Sequence, residues 1–170
     1  MTAGALVQGT AVAYRGKGLL ILGRPRTGKS ALALEMIALG AGLIGDDLVR
    51  IDVEGGRLIA APADRGDQVL IEARGVGLLR LPSAGAAPLC LVLDLDEPET
   101  DRLPERRFWR RLGVETQLLR RPSPLSPAAI LLACGAGGPE DPEQPLDALL
   151  RRTAVRKKLT LPGAESEVDR

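Results

Sequence analysis

The chain has no histidine and no asparagine, only two cysteines, and only three aromatic residues, Tyr14, Phe108 and Trp109. Each scarcity argues against a class of function. Without histidine, and with Cys90 and Cys134 in apolar surroundings without metal-type spacing, zinc sites and triad-type catalysis are poorly supplied. The two cysteines read as buried free thiols of a reducing compartment. Without asparagine, the Asn-Lys-x-Asp motif by which GTPases read guanine cannot be written. At 2% aromatic residues, stacking platforms for nucleic-acid bases are argued against, and the core must be built from Leu, Ile, Val and Ala. No run reaches the roughly 18 apolar residues of a membrane span. The first residues lack the basic and apolar regions of a signal peptide. With 23 basic against 22 acidic residues the net charge is +1, which gives no global attraction to nucleic acid or membrane. A cytoplasmic protein with neither as partner is expected.

What is present suits one compact domain of α/β class, a parallel or mixed sheet covered by helices. Residues 5–14 read as a strand, and Leu19-Leu20-Ile21-Leu22 as a short strand buried on both faces. An apolar helix follows Lys29-Ser30 and can stop at Gly40. Leu43-Ile44 form a short strand, and 49–53 with 57–59 a hairpin around Glu54-Gly55-Gly56. Further strands are expected at 69–71, 78–81, 89–95 and 114–119. A helix is expected over 104–112, ended by Gly113, and another over 127–134 with Ser126 as N-cap and Pro127 at its first position. The domain is drawn over 1–134. In 135–145 Gly, Pro, Glu and Asp crowd together, so 135–170 reads as a tail with at most one short helix, near 146–152.

The sharpest motif is G-R-P-R-T-G-K-S, which matches G-x-x-x-x-G-K-[ST] through Gly23, Gly28, Lys29 and Ser30. It lies between a buried strand and a helix, as a phosphate-binding loop must. Backbone N–H groups of this loop would wrap a phosphate at the positive end of the helix. Lys29 would reach the β/γ-phosphates and Ser30 would give its hydroxyl to Mg²⁺. The nucleotide-binding set is thus Gly23, Arg24, Pro25, Arg26, Thr27, Gly28, Lys29 and Ser30. Arg26 stands where many such loops have glycine; Arg24 and Arg26 either add cations to the site or point to solvent.

A second element is Asp46-Asp47, at the end of an apolar strand. One carboxylate could accept the proton of an attacking hydroxyl while the other supports the metal. Asp94, closing the strand Leu89–Leu93, is a competing metal acid, followed by Asp96 and Glu97. Arg106, Arg107, Arg110 and Arg111 recur at helical spacing and read as a solvated helix face.

Taken in order, strand, G-R-P-R-T-G-K-S, apolar helix, G-L-I-G-D-D, hairpin and E-A-R-G-V-G-L-L-R-L-P, the sequence resembles the catalytic domain of HPr kinase/phosphorylase, in the short alphaproteobacterial form without the N-terminal domain. The likeness runs from about Ala5 to about Ala133. It implies a P-loop fold like that of phosphoenolpyruvate carboxykinase, a mixed sheet flanked by helices in a single domain. It further implies a kinase that uses ATP and Mg²⁺ to phosphorylate a serine of the phosphocarrier HPr, in regulation of the phosphotransferase system. In many members the same site removes that phosphate by phosphorolysis. Carried over, the catalytic residues are Asp46 as base, Asp47 and Lys29; the metal set is Ser30, Asp47 and Glu72; and Glu72, Arg74, Gly75 and Gly77 form the family signature. Longer relatives are hexamers, so a homo-oligomer is expected. Two departures bear on the reverse reaction. Gln8 stands where many members have histidine, and R-P-S-P-L-S-P at 121–127 replaces a basic loop, with Ser126 in place of an arginine. Two other readings stand beside this one: a P-loop kinase for another hydroxyl, and a nucleotide-sensing regulatory module with little turnover.

Overall fold

A computed structural model describes residues 4–64 and 66–139, which fall within one compact unit. The expected short helix near 146–152 lies outside the described residues. The chain opens with β1 (Ala5–Gln8), β2 (Thr10–Tyr14) and β3 (Lys17–Leu22), then α1 (Lys29–Ala38) and β4 (Gly42–Gly45). β5 (Leu48–Glu54), β6 (Arg57–Pro62), β7 (Gln68–Ala73), β8 (Gly77–Pro82) and β9 (Ala87–Pro98) follow. β10 (Arg107–Arg111), β11 (Val114–Arg121) and α2 (Pro127–Ala136) complete the described fold.

Nine strands form one mixed sheet, with β1-β5-β6-β9-β3-β2-β4 in order and β11 and β10 reached from β9; β7 and β8 form a separate hairpin. The pairs β3–β9 and β9–β11 are parallel. The central apolar strands alternate between two cores, which is why they read as unbroken hydrophobic runs. Leu19, Ile21, Leu91, Leu93 and Leu95 face a cluster with Leu32, Ala33 and Met36 of α1, Ile130, Leu131 and Cys134 of α2, and Ile71 of the hairpin. Leu20, Leu89 and Val92 face the other way, onto Val49, Ile51, Leu58 and Ala60 of the folded-over β5 and β6. Both helices thus cover one face, and strands cover the other. Together these faces bury 18 Leu, Ile and Val side chains, each worth roughly 1.5–3 kcal/mol on transfer from water.

Local sequence explains the ends of elements. Gly40, at φ 99°, supplies the left-handed residue after α1, and Ala41 N–H returns to Met36 O at 3.0 Å. Ser126 Oγ accepts from Ala129 N–H at 3.3 Å, capping α2, which runs two residues past the domain boundary drawn at 134. Gly55 and Gly56, at φ 56° and 76°, make the tight β5–β6 turn.

Two expected elements differ. The single strand at 5–14 is split at Gly9, where the chain passes from β5 to β3 as partner. A Cβ at Gly9 would stand 2.8 Å from Ile21 O, so only glycine permits that crossing. The helix over 104–112 is instead β10, paired antiparallel with β11. Gly113 does not stop a helix: with Leu112 (φ 49°) and its own φ of 77° it forms a hairpin turn. The helical spacing of the arginines is therefore not a helix face. Arg107 and Trp109 turn inward and Phe108 and Arg110 outward, since strand side chains alternate.

Arg107 reaches Glu99, whose Oε2 accepts from Nη1 at 2.7 Å while Oε1 accepts from the N–H groups of Thr100 and Asp101 at 3.0 and 3.1 Å. Burial pushes the Glu99 carboxyl up, but the Asp101 N–H, the Arg107 charge and the Thr100 N–H outweigh it and hold it below the usual range. A depressed carboxyl stabilises the fold fully above the unfolded value of about 4.3 and loses that contribution as pH falls through the folded value. Urea unfolding should accordingly show Glu99→Gln less stable than the native chain at neutral pH, with the gap closing in acid. A gap independent of pH would rule out this role.

Candidate functional site

The Gly23–Ser30 loop connects β3 to α1, and its backbone turns through several left-handed residues. Gly23 has φ 149° and Gly28 φ 95°. A Cβ at Gly23 would lie 2.6 Å from Thr27 Oγ1, whereas nothing lies within 4 Å of the position a Cβ would take at Gly28. Gly28 is the N-cap of α1 with no side-chain cap, so the first amides of the helix are left for a ligand. Arg26, at φ 71°, occupies the left-handed region. That is why glycine is common there in such loops; the cost for an arginine is about 1–2 kcal/mol.

Lys29 is buried, and its Nζ donates to Gly23 O at 2.8 Å and Arg24 O at 3.0 Å, closing the loop on itself. Thr27 Oγ1 donates to Arg24 O at 2.9 Å. Ser30 Oγ, one residue further on, donates to both oxygens of Asp46 at 3.0 and 3.1 Å. Asp46 Oδ1 also accepts from the fully buried Thr10 at 2.6 Å. β2 and β4 are paired, with Ala11 opposite Gly45, which brings Thr10 and Asp46 together. Asp47 sits at φ 64° with its carbonyl receiving Gly9 N–H at 3.0 Å. The Asp46-Asp47 turn is thus clamped to the Gly9 crossing.

A cleft of about 720 Å³ opens over this loop, within the range of small-ligand sites. It is lined by Pro25, Arg26, Gly28, Lys29, Ser30, Ala31 and Leu34 from the loop and α1, by Gln8 and Asp47, and by Glu72, Ala73, Arg74 and Val76 from the β7–β8 hairpin. The structure therefore brings Lys29, Ser30, Asp47, Glu72 and Arg74 to one cleft, with half-buried Asp46 joined to it through Ser30. Gly75 and Gly77, at φ 79° and 140°, shape the hairpin tip. The Arg24 side chain is largely in solvent, 3.5 Å from Asp96, while Arg26 lines the cleft. Asp94 turns back on its own strand, Oδ1 accepting from Asp96 N–H at 2.9 Å, and Ser30 takes Asp46 as its carboxylate partner.

Among the described residues no three of His, Cys, Asp and Glu converge as a metal cage. The oxygen donors that line the cleft are of the kind that Mg²⁺ takes alongside phosphates and water. Ser30, Asp47 and Glu72 bring oxygen-bearing side chains to the lining of the cleft. No helix among the described residues is long and apolar enough to cross a membrane.

Thr10 and Asp96 carry parts of the site that the sequence did not single out for it. Asp96 receives Arg24 N–H on both oxygens at 3.0 Å. The signal for it was the D-L-D end of β9, level with the loop because β9 lies parallel to β3 with Leu22 opposite Asp94. Asp96→Ala should weaken ATP binding by about ten- to a hundredfold at most, the 1.5–3 kcal/mol of a charge-assisted hydrogen bond. Calorimetric titration with ATP measures it; unchanged affinity in a folded variant would remove Asp96 from the site.

The sequence model of the HPr Serine kinase C-terminal domain matches residues 1–85. HPr kinase/phosphorylase of Brevibacillus brevis is 31% identical over 123 residues, covering 67% of this chain and 37% of that protein. The protein of the same name from Geobacillus thermodenitrificans is 33% identical over 121 residues, covering 67% and 38%. The chain thus spans less than two-fifths of the length of these relatives. The solved structure of the HPr(Ser) kinase/phosphatase from Coxiella burnetii matches with a TM-score of 0.63 at 19% identity, covering 91% of this chain and 99% of that one, a likeness of fold. With its phosphate loop, paired aspartates and glycine-tipped hairpin set around one cleft, this chain belongs to the HPr serine kinase family.

Proposed function

We propose that this chain is an ATP- and Mg²⁺-dependent kinase that phosphorylates a serine on an HPr-type phosphocarrier, in regulation of a phosphotransferase system in the cytoplasm. The observation that carries the reading is the contact by which Ser30 joins Asp46 to a cleft that Ser30 lines together with Lys29, Asp47 and Glu72. Bound Mg²⁺ would neutralise charge on the transferring phosphoryl group. Ser30, Asp47 and Glu72 would hold it. Ser30 can turn a lone pair to a cation and still leave its proton on Asp46, because a hydroxyl both donates and accepts.

Lys29, once drawn off the Gly23 and Arg24 carbonyls by a better anion, gives its charge to the phosphates. Asp46 already accepts two hydroxyl protons, from Thr10 and Ser30. We assign it the further task of taking the proton from the attacking serine hydroxyl and, for any reverse reaction, of returning it. Arg26 and Arg74 would contribute positive charge at the rim, while Arg24 N–H, bonded to Asp96, would hold the first turn of the loop in place. A homo-oligomer is part of the same proposal.

The test is transfer of labelled γ-phosphate from ATP to HPr. Label on a serine of HPr supports the kinase. Tight ATP binding without incorporation would favour the nucleotide-sensing module, and turnover only with small hydroxyl compounds would favour a metabolite kinase. Phosphorolysis is assayed separately, by release of pyrophosphate from phosphorylated HPr in inorganic phosphate.

A further inference from the structure

The cysteines lie together, although 44 residues separate them: Cys90 Sγ on β9 is 3.0 Å from Cys134 Sγ on α2. Both are free thiols. Cys134 is wholly buried and Cys90 only partly. Cys90 Sγ also approaches Gly18 O at 3.3 Å and Cys134 O at 3.4 Å, so the pair is seated among backbone carbonyls where β3, β9 and α2 meet. Lys17 stands beside them, its Nζ donating to Gly135 O at 3.0 Å. Two thiols in contact across separate elements, one partly and one wholly buried, form a different kind of site from an isolated buried cysteine.

We propose that Cys90 and Cys134 are an oxidation site, converted by peroxide to an intramolecular disulfide that fastens α2 to β9. Cys90, the less buried of the two, takes the first step. As a thiolate it attacks peroxide; the O–O bond breaks, a sulfur–oxygen bond forms, and water leaves. Cys134 sulfur then displaces the sulfenic oxygen as a second water and the sulfur–sulfur bond forms. In sum two thiols lose two electrons and two protons, and one hydrogen peroxide becomes two waters. Bonding requires the sulfurs to close to about 2.05 Å, an approach of roughly an ångström.

The electrostatics match that order of events. The hydrogen bond from the Cys134 thiol holds the Cys90 thiol below its ordinary value against burial, with the Lys17 charge and the backbone assisting. The same contact, together with burial, pushes the Cys134 thiol up.

This inference does not depend on the kinase reading, and its test needs no substrate. The full chain is treated with hydrogen peroxide, then examined by thiol titration, intact mass and thermal melting under non-reducing conditions. The expected result is loss of both titratable thiols with the mass falling by two hydrogens, reversal by dithiothreitol, and a melting temperature raised on the order of 10 °C by closure of a long loop. Cys134→Ser should instead stop at the Cys90 sulfenic acid, trappable by dimedone. Cys90→Ser should leave the buried Cys134 thiol unoxidised. Retention of both thiols, over-oxidation that adds oxygens without joining the sulfurs, or a disulfide only between two molecules would each overturn the proposal.

Discussion

Asp46→Asn should abolish phosphoryl transfer to HPr while leaving ATP bound. Loss of a general base costs about 10²- to 10⁴-fold, or roughly 3–5 kcal/mol of barrier. The fold should survive. The amide put in place of the carboxylate retains one oxygen to accept from Thr10 or Ser30, and both hydroxyls can rotate to meet the new NH₂ group. Two measurements separate the roles of the paired aspartates: single-turnover transfer at saturating Mg²⁺, and the Mg²⁺ concentration needed for half-maximal ATP binding. Asp46→Asn is expected to depress the first and Asp47→Asn to shift the second. The opposite pattern would exchange the two roles, which the contact between Ser30 and Asp46 makes a concrete outcome to look for. Transfer unchanged in both variants would sink the mechanism.

Lys29→Met should be comparably severe and should fail differently. The ammonium is the buried cation of the loop, and removal of a charge aimed at a transferring phosphate costs on the order of 10²–10³-fold in rate. ATP affinity should fall as well, unlike in Asp46→Asn, since the lysine meets the phosphates in ground and transition states alike. Without ligand, Lys29 Nζ also ties Gly23 O to Arg24 O. A modest fall in melting temperature should therefore accompany the loss. Lys29→Arg should not rescue, because a planar fork does not fit where a compact three-donor point charge sat. Equilibrium dialysis with ATP and a thermal melt on each variant check both parts. Undiminished ATP binding by Lys29→Met would remove the lysine from the phosphate site.

Contact between neighbours in sequence decided what could be read in advance. The phosphate loop spans Gly23–Ser30 without a break, so its pattern needs no knowledge of the tertiary fold, and the strand before it and helix after it were legible for the same reason. The Gly55-Gly56 turn and the Ser126-Pro127 helix start are equally local. Residues 104–112 misled because Arg, Leu and Glu suit a helix in isolation, while the free edge of β11 offers Arg107–Arg111 a partner that a propensity argument cannot see. The contact of Asp96 with the loop and the part played by Thr10 escaped notice on similar grounds. Their roles depend on β9 lying level with β3 and on β2 meeting β4, and those registers are not written in either segment alone. Nor does spacing disclose that Cys90 and Cys134 touch.

Strand β9 also bears on how the chain is made. During synthesis β3 leaves the ribosome with β2 to pair on one side, but its other edge must wait for Leu89–Asp94. Until then Leu19, Leu20 and Ile21, apolar on both faces, border an open hydrogen-bonding edge, the arrangement most prone to pair with another nascent chain. The phosphate loop hangs from that same strand. A product ending before Ala87 would thus carry the whole nucleotide motif on a strand with one edge unpaired, in a sheet with no centre.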